Sequence, residues 1–168
     1  MMKFEELEPH FKNALIDTMK TKSPFWSLLG MELLDVRKGW AKVRLPFAHK
    51  LVHPLGIAHG GAIFSPADSA VAMALIGLVE KDEIFTTVEM KINYLIPFKE
   101  GEIIAEAKIV YKGSKTALGD VEVRNSKGDL IAKGLATYMI LKNNNNERAE
   151  SHGWRFRPFC LSGVGRSF

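Results

Sequence analysis

The spacing of apolar residues changes along this chain, and the changes mark out its elements. Phe4, Leu7, Phe11, Ala14, Leu15 and Thr18 recur at helical intervals, which predicts an amphipathic helix with its charges on the other face. Pro9 fits within the first turns or marks a later start, where its missing N–H is not needed. SPFWSLLG, residues 23–30, reads as a short second helix opened by Ser23 and Pro24 and closed by Gly30. The period then falls to two. Ala41, Val43 and Leu45 alternate with Lys42 and Arg44 in a strand ending at Pro46, and MELLDV before the RKG turn is its hairpin partner.

The stretch from Gly60 to Val79 is apolar almost throughout and predicts one buried helix. Alternation returns with Val88, Met90, Ile92, Tyr94 and Ile96. It continues with Ala105, Ala107, Ile109 and Tyr111, then Gly119, Val121 and Val123, and NSKGD turns the chain into LIAKGLATYMIL. Helices, a hairpin, a long apolar helix and then consecutive strands predict an α+β fold with an antiparallel sheet. A helix apolar nearly all round needs more cover than a flat sheet supplies. The sheet is therefore expected to curl around it, and a second protomer to help.

Residues 1–142 are read as one domain with an N-terminal helical segment. From Asn143 the pattern stops: NNNN precedes ERAESHGWRFRPFCLSGVGRSF, which has no helical or strand period. Residues 143–168 are read as a natural extension, a frame-shifted end or appended sequence.

Charge alters this picture little. The net charge is +4. Residues 143–168 carry Arg148, Arg155, Arg157 and Arg166 against Glu147 and Glu150, leaving half the excess on a domain where lysines and acids alternate. No basic stripe suits a phosphate backbone, so no nucleic-acid partner is expected. The single cysteine, Cys160, lies in the final segment, and no disulfide can form within the chain. MMKFEELEPHFK lacks the basic and then apolar regions of a secretory signal. A cytoplasmic location is expected. Gly60 to Val79 has about the length of a bilayer span, but Ser65, Pro66, Asp68 and Ser69 interrupt it, so no membrane partner is expected.

The candidate chemistry sits in GIAHGGAIFSPADSA, residues 56–70. Gly60 and Gly61 before a helix let a ligand approach the backbone, and the first turn offers unpaired N–H groups. Such a terminus suits a carbonyl oxygen that gains charge during attack; a tight strand-to-helix turn would need the same glycines. Asp68 lies seven residues past Gly61, about 10 Å along a helix. If both act on one substrate, the carboxylate comes from another protomer, which predicts a composite site at a two-fold interface. A carboxylate bonded to local backbone or a hydroxyl is the plainer alternative. Pro66 implies a regular helix starting near Ser65, or a kink there. His49 and His53 are four apart, but Pro46 and Pro54 oppose the helix that would align them on a metal, so none is expected. No nucleophile elbow or dinucleotide fingerprint is present.

HPLGIA, HGGAIFSPADSA and TTVEMKINYLIPFKEGEIIAEA together resemble the hotdog-fold acyl-CoA thioesterases of the phenylacetate type, PaaI-like, over about residues 28–141. The resemblance implies a curved sheet around one long helix, and homodimers that often pair into homotetramers, dimers of dimers. It implies hydrolysis of an acyl-CoA thioester with no cofactor, coenzyme A being part of the substrate. The amide of Gly60, with Gly61 beside it, would polarise the carbonyl, and the partner's Asp68 would act as base or nucleophile. Thr87 would position water or carboxylate, and His59 is the motif histidine near substrate. Gly113, Ser114, Lys115 and Thr116 match a loop lying near bound coenzyme A. His53 replaces an asparagine that relatives commonly carry, and Pro66 replaces a leucine or similar residue. These departures favour, as an alternative, an acyl-CoA-binding or regulatory protein without turnover; a further alternative is a hydratase pairing an aspartate with His53 or His59. Phe64, Met73, Tyr94 and Phe98 are candidates to line an acyl pocket or the core.

Overall fold

The computed structural model describes residues 4–142, so the expectation for residues 143–168 lies outside the described residues. Helix α1 spans Pro9–Lys22, with Pro9 in its first turn and the Glu8 carboxylate accepting hydrogen bonds from the amides of His10 and Phe11 at 2.9 and 2.7 Å. Helical spacing had placed Phe4 and Leu7 on this helix; they precede it, because the chain there bridges Glu6 to Arg37. Leu7 still reaches the core, and Phe4 stacks on Trp40. Helix α2, Pro24–Leu29, ends at Gly30, whose φ of 84° suits glycine.

Strands β1 (Glu32–Arg37) and β2 (Trp40–Pro46) form the expected hairpin. Helix α3 runs from Gly60 to Ile76, then β3 (Glu83–Tyr94), β4 (Glu102–Lys112), β5 (Thr116–Asn125) and β6 (Leu130–Lys142) follow. The six strands pair in the order β1-β2-β4-β5-β6-β3, and every pairing is antiparallel. Consecutive β4, β5 and β6 are neighbours, whereas β3 lies at the far edge, beside β6.

The curl expected of the sheet follows from α3. Ala62, Ile63, Pro66, Ala67, Ala70, Val71, Met73, Ala74 and Leu75 are all buried, and they pack chiefly on β2, β4 and β5. Small residues let helix and sheet approach closely. A Cβ added at Gly119 of β5 would lie 2.3 Å from Val71 Cγ1, so only glycine fits there as the elements stand. No helix among the described residues is long and apolar enough to cross a membrane.

Alternation fails at one point in β3. Thr87 pairs with Tyr138 and Glu89 with Thr137, so Val88 is an extra residue without a place in the ladder. Val88, predicted to share a face with Met90, is instead 56% exposed. The bulge reverses the phase of the strand. Beyond it Met90 and Ile92 pack against the core; before it Phe85 and Thr87 lie opposite the inward-facing Ile140 and Tyr138.

Candidate active site

Helix α3 begins at Gly60, not near Ser65, so Pro66 lies inside it. Proline removes the amide that would have bonded the Ala62 carbonyl, and the helix continues because its neighbours hold it. Pro66 is itself buried in the core, and the Ser65 hydroxyl donates to the Gly61 carbonyl at 2.8 Å.

The first turn is built by histidine and glycine together. The Gly61 amide donates to Nδ1 of His59 at 2.9 Å, so this imidazole caps the helix. The Gly60 amide makes no hydrogen bond among the described residues. It is therefore the donor left available at the positive end of the helix dipole. Across from it the Tyr94 hydroxyl donates to the Gly60 carbonyl at 3.1 Å. A Cβ on Gly60 would meet the Tyr94 ring at 3.2 Å, so the bare backbone lets that ring sit close. Burial raises the pKa of the Tyr94 phenol, keeping it a donor at neutral pH. His53 lies next to this turn, its ring centroid 6.5 Å from that of His59. Its Nδ1 accepts from the Leu55 amide at 3.1 Å, which assigns the neutral ring's proton to Nε2.

A second group forms around Asp68, two turns along α3. Asp68 Oδ1 accepts from the Thr87 hydroxyl at 3.1 Å and from the Tyr138 hydroxyl at 2.6 Å. Tyr138 also lies 2.9 Å from the Asp68 carbonyl oxygen. It is only 2% exposed, with its ring against Phe85 in an edge-to-face contact at 5.9 Å. Burial, then the charge of Asp68 and its hydrogen bond, push the Tyr138 pKa far above the ordinary 10.0. In the sequence Tyr138 is only one residue of the strand LIAKGLATYMIL, and nothing local in that run connects it with a residue of α3. The bulge at Val88 brings Thr87 onto the same face.

The loop of Gly113, Ser114, Lys115 and Thr116 lies at this end of the sheet. Gly113 donates to the Thr116 carbonyl and Ile140 to that of Lys115, each at 2.8 Å, while Ser114, Lys115 and Thr116 are exposed. Thr116 pairs with Met139, which pairs on its other side with Thr86, next to Thr87. The loop thus begins two strands, about 10 Å, from the strand that carries Thr87.

The predicted residues therefore form two groups in one protomer: Gly60, Gly61, His59 and His53 at the start of α3, and Asp68 with Thr87 farther on. Eight residues of helix separate Gly60 from Asp68, about 12 Å. Among the four aromatic and thioether candidates, Met73 and Phe98 are core residues, Phe64 is half-buried, and Tyr94 is 48% exposed beside Gly60. Among the described residues, no group of three or more histidine, cysteine, aspartate or glutamate side chains could hold a metal ion.

An antiparallel sheet folded on one apolar helix, with the Gly60 amide unfilled at the start of that helix, defines an α+β protein of the hotdog class. The chain belongs to the thioesterase superfamily, whose model matches residues 55–132. A candidate esterase of Archaeoglobus fulgidus is 35% identical over 122 residues, covering 72% of this chain and 77% of that one. The medium/long-chain acyl-CoA thioesterase YigI of Escherichia coli is 29% identical over 132 residues, covering 70% of this chain and 85% of that protein. Among solved structures, an asparagine-to-aspartate variant of the phenylacetic acid degradation protein PaaI from Thermus thermophilus is 29% identical. It covers 70% of this chain and 98% of its own, with a TM-score of 0.64.

Proposed function

We propose that this protein hydrolyses acyl-CoA thioesters to a free acid and coenzyme A, at sites shared between two protomers. One observation carries the reading: α3 and β3 run in opposite directions, with Gly60 against Tyr94 late in β3 and Asp68 against Thr87 early in it. β3 is an open sheet edge of 12 residues. A second copy pairing antiparallel along that edge, about a two-fold axis near its middle, brings the start of one α3 toward the partner's Asp68. Neither group alone can both polarise a carbonyl and activate water; the pair can.

In this site the Gly60 amide donates to the thioester carbonyl, supported by the dipole of α3. Nε2–H of His53 supplies a second donor, the role an asparagine amide fills in relatives. The partner's Asp68 takes a proton from water as the water oxygen bonds to the carbonyl carbon. The oxyanion then collapses, the C–S bond breaks, and the thiolate of coenzyme A recovers the proton. Lys115 and its exposed neighbours would meet phosphates of the leaving group. The chemistry requires no metal or redox group.

Thiol release from aryl-, short- and medium-chain acyl-CoA thioesters tests this reading, wild type against Asp68→Asn. Turnover is expected to fall by roughly 10²–10⁴-fold in the variant. Equal turnover in the two proteins refutes the assignment of Asp68, and binding of acyl-CoA without turnover in wild type refutes hydrolysis.

A further inference from the structure

We infer that Tyr138 is a positioning residue for the hydrolysis proposed above: its hydroxyl, with that of Thr87, occupies Oδ1 of Asp68 and leaves Oδ2 as the oxygen that meets water. The inference rests on that reading of Asp68, and its argument is geometric. A tyrosine hydroxyl has one proton and two oxygens of Asp68 within reach, at 2.6 and 2.9 Å. A carboxylate oxygen is a stronger acceptor than a peptide carbonyl, and it also makes the shorter contact. The proton therefore lies toward Oδ1.

Thr87 adds a second donor to the same oxygen at 3.1 Å. Two donors arriving from neighbouring strands, β3 and β6, hold the carboxylate in one orientation. Oδ2 has no protein partner among the described residues, so its lone pairs remain for a water. Tyr138 is suited to hold and not to transfer a proton. Its ring is buried at 2% exposure, and its phenol stays protonated well above neutral pH. The phenol reaches the carboxylate from β6, where Tyr138 lies beside Thr87 in the ladder.

Tyr138→Phe keeps the ring against Phe85 and removes only the hydroxyl. Loss of a hydrogen bond to a charged group is expected to lower kcat by about ten- to hundredfold, with KM within about twofold of wild type. Thr87→Val is expected to act in the same direction. It provides a second reading should Tyr138→Phe fail to fold. Unchanged kcat in both variants, or a rise in KM alone, overturns the inference.

A proton NMR measurement works without turnover. Of the chain's three tyrosines, Tyr111 is exposed and Tyr94 half-exposed while Tyr138 is 2% exposed, so the Tyr138 hydroxyl is the one most shielded from exchange with water. A downfield hydroxyl resonance is expected, absent in Tyr138→Phe and moved upfield in Asp68→Ala. Wild type without turnover sinks the hydrolytic reading; a resonance absent from wild type, or unmoved in Asp68→Ala, sinks the positioning by Tyr138.

Discussion

Gly119→Ala tests the contact that sets the height of α3 above the sheet. The new Cβ would fall 2.3 Å from Val71 Cγ1 and 3.3 Å from Val71 Cβ and Cγ2. Carbon atoms rest at about 3.5–4.0 Å, so helix and strand must separate by more than about 1 Å or Val71 must change rotamer. Rotation is restricted, because a β-branched side chain in a helix has one strongly preferred χ1, and Val71 is fully buried. Overpacking of this kind costs about 1–3 kcal/mol. Gly119 has no positive φ, so alanine also narrows the unfolded ensemble and returns about 0.4–1 kcal/mol. The difference spans about 0–2.6 kcal/mol, and a contact as close as 2.3 Å puts the expected loss in the upper half of that range. Urea unfolding at fixed protein concentration should show it as a lower midpoint with an unchanged m-value. Val71 lies one helical turn from Asp68, so the displaced helix should also stretch the 2.6 Å contact to Tyr138 and lower kcat. In a Val71→Ala background both Cγ contacts are gone and only the 3.3 Å approach to Cβ remains, so the cost of Gly119→Ala should fall sharply. An unchanged midpoint in the single variant, or the same cost in both backgrounds, would falsify the argument from close approach.

The remaining predictions concern the two ends of the fold. His59→Ala deprives the Gly61 amide of its acceptor and should lower stability by about 0.5–2 kcal/mol, the usual worth of an N-cap, read from the urea midpoint at neutral pH. At the other end Asp35 of β1 ties that strand to α1 through Lys12 at 2.5 Å, and also pairs with Arg37 of its own strand at 3.2 Å. Burial raises the Asp35 pKa, but Lys12, the Val36 amide and Arg37 outweigh it and hold the carboxyl below its ordinary 3.8. A depressed folded-state pKa means that this stabilisation is complete above the unfolded value and is lost as pH falls through the folded one. Unfolding midpoints below about pH 4 should therefore decline less steeply in Asp35→Asn than in wild type, by under about 1 kcal/mol at this exposure. Parallel curves would remove Asp35 from the account of acid sensitivity.

What the sequence disclosed depended on the range of each interaction. Periodicity is local, so the strands and α3 were legible from residue spacing, as was the turn at Gly60 and Gly61. Pro66 looked like a boundary because a proline's local effect is to end a helix, while the burial that holds α3 through it comes from the sheet. The bulge was hidden, since Val88, Met90, Ile92 and Tyr94 alternate without fault and the ladder with β6 alone shows Val88 to be extra. Tyr138 was hidden for a related reason. It is 70 residues from Asp68 in the chain, and no pattern within β6 foretells its hydroxyl's partner.

The bulge at Val88 also acts as a ruler. An open sheet edge is a template on which any extended chain can lie down, and β3 offers one. The inserted residue breaks the template, so a foreign strand of regular geometry keeps step only along the stretch from Glu89 to Tyr94. In the dimer proposed above, a second copy related by a two-fold axis through that stretch would carry the same break at the opposite end, and the two irregularities would frame the seam instead of crossing it. One extra amino acid would thus set the width of that seam, as it sets the direction in which Thr87 points. A deletion there would widen the choice of strands able to attach and, in the same event, turn the hydroxyl away from Asp68.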